Sequence, residues 1–533
     1  MKRFLILFPV IFFLYSCTRN FKEMNTDKTG ITEEDMKIDL NHIGIPMSII
    51  HQGIYFNYDF GKGKNWPYQI MQNLSADLFS GYMHDYKPLN GGSHNSDYNL
   101  QDSWNSTMWE NTYAYIMPQV KKLEDSTRTD YPQFYGITKI LKVLLMHRIT
   151  DYYGPVIYTH FGEKGNENIT DSQPETYEHF FEDLDTAVNC ISHYLQLHPS
   201  PRGFESFDLL SDGQFSSWLK LANSLRLRLA VRIAMAAPGK AAEEARKALS
   251  DPYGVLEKSY EIIAVSTSKE YTNPLGEINK SWGEVYMNAN MESILNGYQD
   301  SRREVFFHPS PEDILYNGDT IRLKGKYKGI RQGTCFAHNR YRTHSSITVT
   351  PATDAILMTA AEIWFLRAEA ALRGWTAEEA GDCYRQGVAV SFQQWGADIG
   401  DYLQTERFAC DYEDAFEPDF NIKARCKVSP LWSEEDEPEV KLEKIITQKW
   451  LALFPEGCDA WAAQRRTGYP RLFTVKYNNS PDHCIDTERM IRRLNFPAKL
   501  QDTDPGLYRA LQQSLGAPDH AGTPLWWDTG KNF

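Results

Sequence analysis

From about residue 41 onward, apolar positions recur along the chain at three- and four-residue spacing, the period of an amphipathic helix. The spacing predicts helices near 42–56, 66–80, 105–124, 132–153, 176–196, 215–236, 239–250, 354–373, 377–394, 440–453 and 457–466. Ile363, Leu366, Ala370 and Leu372 carry this pattern in one of them. Alternation with period two is rare, so no main β-sheet is expected. The fold class is therefore mainly α. Two stretches break the pattern. Residues 252–353 are dense in Gly, Pro, Asn and Tyr, with short β-like pieces such as 346–350, and 397–438 holds two acidic runs. Long irregular segments inside a helical body are usually functional or disordered.

Within the helical part, 361–388 reads as a repeat unit. Trp364 and Ala368 stand on its first helix, and Ala380, Tyr384 and Gly387 on its second. This small–aromatic–small spacing resembles a tetratricopeptide hairpin, in which small residues let two helices approach and aromatics fill the gap between pairs. Residues 221–235 with 241–249, and 135–153 with 176–196, form two further candidate pairs. The distance between units is irregular, and an unrelated helical bundle would give the same periodicity.

The N-terminus has a different character. Lys2 and Arg3 precede an apolar run from Phe4 to Tyr15, and Ser16 stands directly before Cys17. A basic head, a short apolar run and a small-residue cut site make a secretory signal peptide, too short to span a bilayer. Leu14-Tyr15-Ser16-Cys17 resembles the bacterial lipobox, in which the cysteine is acylated. The expected organisation is a signal peptide at 1–16, a lipidated tether and docking segment at 17–40, and one helical domain at 41–533 carrying the irregular insertions at about 252–353 and 397–438. Anchoring would be by lipid alone, with several acyl chains needed for durable attachment.

Composition adds little to class but excludes some partners. Removing Lys2 and Arg3 takes the formal charge from −14 to −16, which repels phosphate backbones and argues against nucleic acid. The eight cysteines, at 17, 190, 335, 383, 410, 426, 458 and 484, form no C-x-x-C pair, and most are expected to be buried and unpaired. No H-E-x-x-H, P-loop, G-x-G-x-x-G or G-x-S-x-G occurs, and the histidines show no metal-ligand spacing. No cofactor, metal or catalytic residue is expected. The acidic runs at 411–419 and 434–439 could supply oxygen ligands to calcium, but neither has EF-hand spacing, and solvated loops are the simpler reading.

The candidate binding chemistry is aromatic. Trp66, Tyr68, Tyr82, His84 and Tyr86 lie among Asn, Asp and Gly in the early chain. Trp282, Tyr286, Asn290, Tyr298, Tyr327, Arg340 and Tyr341 lie in the central insertion. Rings can meet the CH face of a sugar while amides, acids and cations meet its hydroxyls. Trp66, Tyr82, His84, Tyr86, Trp282, Tyr298, Arg340 and Tyr341 are the expected ligand residues. Trp66, Trp282 and Tyr286 have helical neighbours and could equally be core.

Several strings, in order, resemble one family. They are NFKEMNTDKTG at 20–30, HRITDYYGPVIYT at 147–159, WLKLANSLRLRLAVRIA at 218–234, LMTAAEIWFLRAEAALRGW at 357–375, IITQKWLALFPEGCDAWAAQRRTGYP at 445–470 and RRLNFP at 492–497. Together with the lipobox they resemble the SusD/RagB family of Bacteroidetes outer-membrane lipoproteins over essentially the whole mature chain. The resemblance implies a tetratricopeptide-like helical scaffold with a loop-rich ligand face. It implies a cell-surface role in capturing an oligosaccharide for a SusC-like TonB-dependent transporter, without catalysis. It transfers no ligand residue. Arg148, Arg465 and Arg466, which lie in the shared strings, are expected to close helix ends or pair with acids. One departure is that Thr18-Arg19-Asn20-Phe21-Lys22 precedes the first acid, Glu23, so outward placement rests on the resemblance and not on an acidic export signal. The alternatives are a secreted helical glycan-active enzyme, a protein-binding envelope scaffold, or a peptide-binding RagB-like member.

Overall fold

The computed structural model describes residues 40–533 apart from 58–65, 87–88, 90–93, 167, 202, 270 and 335–338; Cys17 and the expected signal peptide and tether lie outside the described residues. In chain order the main elements are α1 (Asn41–Ile54), β1 (Met83–His84), α2 (Met117–Thr127), α3 (Pro132–Tyr153), α4 (Gln173–Leu197), α5 (Phe215–Arg232), α6 (Pro238–Ser250) and β2 (Ile262–Val265). They continue with β3 (Tyr286–Met287), α7 (Ala289–Tyr298), β4 (Ile314–Tyr316), β5 (Asp319–Ile321), β6 (Ala355–Thr359), α8 (Ala360–Leu372), α9 (Ala380–Trp395), α10 (Pro438–Leu453), α11 (Gly457–Thr467) and α12 (Pro505–Leu515). No helix among the described residues is long and apolar enough to cross a membrane.

The scaffold is a stack of antiparallel helix pairs: α3–α4, α5–α6, α8–α9 and α10–α11. Neighbouring pairs meet through α4 against α5, α5 against α8, and α8 against α10. Small residues make the close approaches. A Cβ on Gly136 would lie 2.9 Å from Ile191 Cγ1 and 3.0 Å from the Ala187 carbonyl oxygen; one on Gly387 would lie 2.9 Å from the Phe365 ring. Helix boundaries follow local chemistry. Pro132 opens α3 at a position where its missing N–H costs nothing, and Gly154, at φ +91°, ends it. Ser172 and Glu175 form a reciprocal cap on α4, and Glu456 accepts from the N–H groups of Cys458 and Asp459 at the start of α11. α3 is buried almost all round, the mark of a central helix.

Several sequence expectations need correction. The helix expected over 354–373 begins only at Ala360, because 355–359 pair with β2 as an antiparallel strand. The helix expected over 66–80 is three short pieces, Trp66–Tyr68, a π turn at Gln69–Asn73, and Ala76–Phe79. A π turn at Thr112–Ile116 likewise interrupts the one expected over 105–124. α7 and α12 were not visible in the periodicity. The β-like piece 346–350 makes only isolated bridges, Ser346 to Tyr286 and Ile347 to Phe307.

The arginines of the shared strings pair with acids or carbonyls inside the core. Arg148 donates to Glu456 at 2.9 Å, Arg466 holds Glu369 through two bonds of 2.7 and 2.6 Å, and Arg465 donates to the carbonyls of Asp151 and Arg492. Six cysteines, Cys190, Cys383, Cys410, Cys426, Cys458 and Cys484, are free thiols.

Asp77 is fully buried and accepts from Gln72 Nε2 at 3.1 Å, the Gly457 N–H at 3.2 Å and the Tyr68 hydroxyl at 3.0 Å. Burial, aided by nearby Glu456, pushes its carboxyl up to about 7. A raised carboxyl favours folding while it is protonated and loses that advantage as pH rises from its unfolded value, about 3.9, through 7. Asp77→Asn should therefore match the parent near pH 4. Above pH 7 it should be more stable by roughly 1–3 kcal/mol, read from urea midpoints across that range. A stability difference that does not change with pH would remove Asp77 as the cause.

Candidate functional site

The two aromatic segments are far apart in sequence but meet in the fold. β1 pairs antiparallel with β3, with Met83 opposite Met287 and His84 opposite Tyr286. Gln69 Nε2 donates to Glu284 Oε2 at 2.8 Å, and the turns at 66–73 pack against 274–277. Both segments carry a π turn, Gln69–Asn73 and Ile278–Trp282, a local widening frequently found at functional sites. Trp66 begins the first segment and is 46 % exposed; Trp282 ends the second and is 41 % exposed. A single exposed ring is ordinary; two exposed indoles on segments joined by the β1–β3 pairing make these segments the candidate binding face.

Beside Trp282 lies a cavity of about 360 Å³, lined by Asn279, Lys280, Tyr286, His308, Ser346 and Thr348, among others. The volume suits a small ligand. Asn279 is oriented by two bonds from its amide to the carbonyls of Ile347 and Val349, at 2.9 and 3.0 Å. Tyr286 stands edge-on to Tyr86, with ring centroids 5.6 Å apart, and Arg342 lies over the Tyr86 ring at 5.7 Å. Burial raises the Tyr286 phenol above its ordinary value against the opposing pull of Arg342, so it stays a neutral donor. The wall thus offers amide, hydroxyl and cationic groups, and Trp282 lies in the chain between its lining residues Lys280 and Gly283.

The other expected ligand residues are engaged elsewhere. Tyr82 is fully buried, its hydroxyl bonded to the Trp450 carbonyl and its ring packed 5.1 Å from Trp450 and 5.4 Å from Phe454. Tyr298 is also fully buried and donates to the Val428 carbonyl at 2.6 Å. Both are core residues. His84 is buried against His94, with which it stacks at 6.4 Å. Burial lowers its pKa in spite of Asp85. Burial also opposes charge on His94, but Asp85, 3.1 Å away, outweighs it and raises that ring.

Tyr341, Arg340 and Tyr86 belong to a second, smaller core with Tyr286, Phe416 and Tyr316. Tyr341 is fully buried and donates to Asp414 at 2.9 Å. Arg340 donates to Glu417 at 2.7 Å and to the Tyr316 hydroxyl at 2.6 Å. This core fastens the 397–438 insertion onto the central one. Asp411 and Asp414, considered above as calcium ligands, instead hold Lys423 and Ala424 N–H, and Tyr341 and Tyr412. No group of three metal-ligating side chains occurs among the described residues.

Sequence reasoning thus placed the two indoles and Tyr286 in candidate segments. It missed Asn279, Lys280, His308, Arg342 and Thr348, which reach the site only through the β1–β3 pairing and the bridge from Tyr286 to Ser346. No sequence signal marks them.

A family model described as SusD-like, Susd and RagB outer membrane lipoprotein, matches residues 23–528. Among solved structures, the chain is similar to a SusD homologue from Bacteroides vulgatus, at 44 % identity over 93 % of this chain and 100 % of the other, with TM-score 0.87. It is similar to a chitin-binding SusD homologue from Flavobacterium johnsoniae, at 37 % identity over 92 % and 99 %, with TM-score 0.86. A SusD homologue from Bacteroides uniformis follows at 29 % identity over 91 % and 99 %, with TM-score 0.80. No curated protein sequence matches.

Proposed function

Because the chain belongs to the SusD-like family of outer-membrane lipoproteins, we propose that it is a cell-surface glycan-binding lipoprotein that passes oligosaccharide to a SusC-like TonB-dependent transporter. The observation that carries the binding half is a cavity with amide and hydroxyl walls on a segment that carries the exposed Trp282, joined by the β1–β3 pairing to the segment that carries the exposed Trp66. Sugar rings present an apolar CH face and a polar rim, and this surface answers both. The similarity to a chitin-binding homologue makes oligosaccharides of N-acetylglucosamine the first probes. In this reading the protein binds its glycan without turning it over. Cys17 carries the lipid that holds the protein at the outer membrane, facing outward.

The test uses the full-length protein expressed with its neighbouring genes. Extraction in mild detergent should co-purify an outer-membrane barrel, and labelled fatty acid should enter the parent but not Cys17→Ala. Recovery of the lipidated protein alone would count against the transporter partnership. Label in the Cys17→Ala variant would move the anchor elsewhere. Release of shortened sugars by the pure protein would replace the binding role with an enzymatic one.

A further inference from the structure

The cavity beside Trp282 has a neighbour. Thr350 lines the first; Thr353 and Asp354 line a second cavity of about 490 Å³. The two are separated by one β-turn, closed by the Thr353 N–H donating to the Thr350 carbonyl at 3.0 Å. The ends of such a turn lie within about 7 Å of each other, so the walls of the two cavities come within the reach of successive units of one oligosaccharide.

The second cavity joins an apolar sheet face to buried polar atoms without a partner among the described residues. Its floor is the outward face of the β2–β6 sheet. Ile262, Ala264 and Ile356 line it, while Ile263, Val265 and Leu357 turn into the core, as the period-two alternation of a strand requires. Tyr260 stands at the rim, 79 % exposed. Gln394 and Trp395, at the end of α9, line it as well. The amide nitrogen and oxygen of Gln394 and the indole nitrogen of Trp395 are buried atoms with no hydrogen-bond partner among the described residues. Polar atoms in that position are nearly always paired, and three on two consecutive residues require an explanation. The Trp395 ring is fixed, edge-on to Phe306 at 4.9 Å. The Gln394 amide turns on a soft terminal torsion, which lets it present both a donor and an acceptor to the cavity.

We propose that this cavity is a second saccharide subsite, taking a neutral sugar unit of the same oligosaccharide that Trp66 and Trp282 hold. The apolar floor and Tyr260 meet CH faces; the Gln394 amide, turned on that torsion, meets hydroxyl or acetamido groups. Charge selects the class. Asp208, Asp212 and Asp354 line the cavity and no Lys, Arg or His does. Asp208 is engaged by its own loop, through Leu210 N–H, Gly213 N–H and Trp218 Nε1. Asp212 pairs with Lys269 at 3.2 Å, and Asp354 accepts from the Thr267 N–H at 2.8 Å; three carboxylates against one ammonium leave the rim net negative, which disfavours a uronate or sulfate. The inference rests on the oligosaccharide-binding reading above and extends it to a two-subsite track.

The experiment is calorimetry on the mature full-length chain with chitobiose and chitohexaose, and with the cello- and xylo-oligosaccharides of the same two lengths. The parent should bind the hexasaccharide of its preferred series at least about tenfold more tightly than the disaccharide, the gain expected when a second site is engaged by a tethered unit. Tyr260→Ala/Gln394→Ala should bring the two within about threefold, by weakening the hexasaccharide alone, with an unchanged melting temperature. Parent-like hexasaccharide binding by the folded double variant would overturn the second subsite and leave the uptake reading intact. No binding of any series by the parent would overturn the uptake reading and the subsite with it.

Discussion

Asp459→Ala is expected to cost about 3–5 kcal/mol of folding stability, the usual consequence of stripping one partner from a buried ion pair. Asp459 sits at the start of α11, 4 % exposed, and its two oxygens reach Arg228 Nη1 at 2.8 Å and Arg232 Nη2 at 2.7 Å on α5. Arg228 also grips Glu362 of α8 through two bonds of 2.7 and 2.6 Å, and Arg232 also pairs with Asp151 of α3. Asp151 in turn accepts from the Tyr177 hydroxyl at 3.0 Å and Trp527 Nε1 at 2.9 Å. One carboxylate therefore ties residues from all four helix pairs. Burial alone would raise its pKa, but the two guanidinium groups and His147 outweigh this and hold it well below the usual carboxylate range. Its contribution is thus present above the ordinary carboxylate pKa and lost only in strong acid. Removing it leaves each of two buried guanidinium groups with one carboxylate in place of two. Asp459→Asn keeps the volume and one acceptor and should fall between. The control is Asp125→Ala, which breaks the exposed 2.6 Å pair with Lys121 and should change stability by less than about 1 kcal/mol. Urea titration of the three variants checks this. Equal midpoints for Asp459→Ala and Asp125→Ala would mean the network is not what joins the pairs.

That network explains which parts of the fold were legible in the sequence. Helix pairs report themselves through local period and through small residues such as Gly136 and Gly387, because both consequences fall within one helix or one hairpin. Arg228, Arg232 and Asp459 carry no such signal. In sequence they look like surface charges on amphipathic helices, and only the stacking of four pairs turns them inward. The strand at 355–359 was hidden for a related reason. Its apolar run, Ala355-Ile356-Leu357-Met358, is continuous with the helix that follows, and only its partner at 262–265 marks it as extended. The site divides in the same way. Aromatic density could not separate Tyr82 and Tyr298, whose hydroxyls bond to core carbonyls, from Trp66 and Trp282, which are partly exposed. The polar wall, from Asn279 to Thr348, depends on cross-chain pairing and left no trace in composition.

The last expectation follows from that separation. Replacing Trp282 by Ala should weaken binding of the preferred oligosaccharide by about thirtyfold or more, the loss of a central aromatic anchor worth roughly 2 kcal/mol or above. Trp66→Ala should weaken it by about tenfold, since a ring on the adjoining segment contributes stacking at the level of about 1.5 kcal/mol. The double variant should show no measurable binding. Because both rings are more than 40 % exposed, neither change opens a cavity, and stability should move by no more than about 0.5 kcal/mol. Tyr82→Ala supplies the opposite pattern: a fully buried ring lost from between Trp450 and Phe454 should cost about 3–5 kcal/mol of stability. Whatever fraction remains folded should bind with parental affinity, since Tyr82 lies beneath the face and not on it. Calorimetry for binding and a thermal melt for folding separate the two effects in each variant. If the folded Trp66→Ala/Trp282→Ala protein binds like the parent, the ligand face lies elsewhere on the molecule. If its binding and stability fall together, the indoles are part of the scaffold.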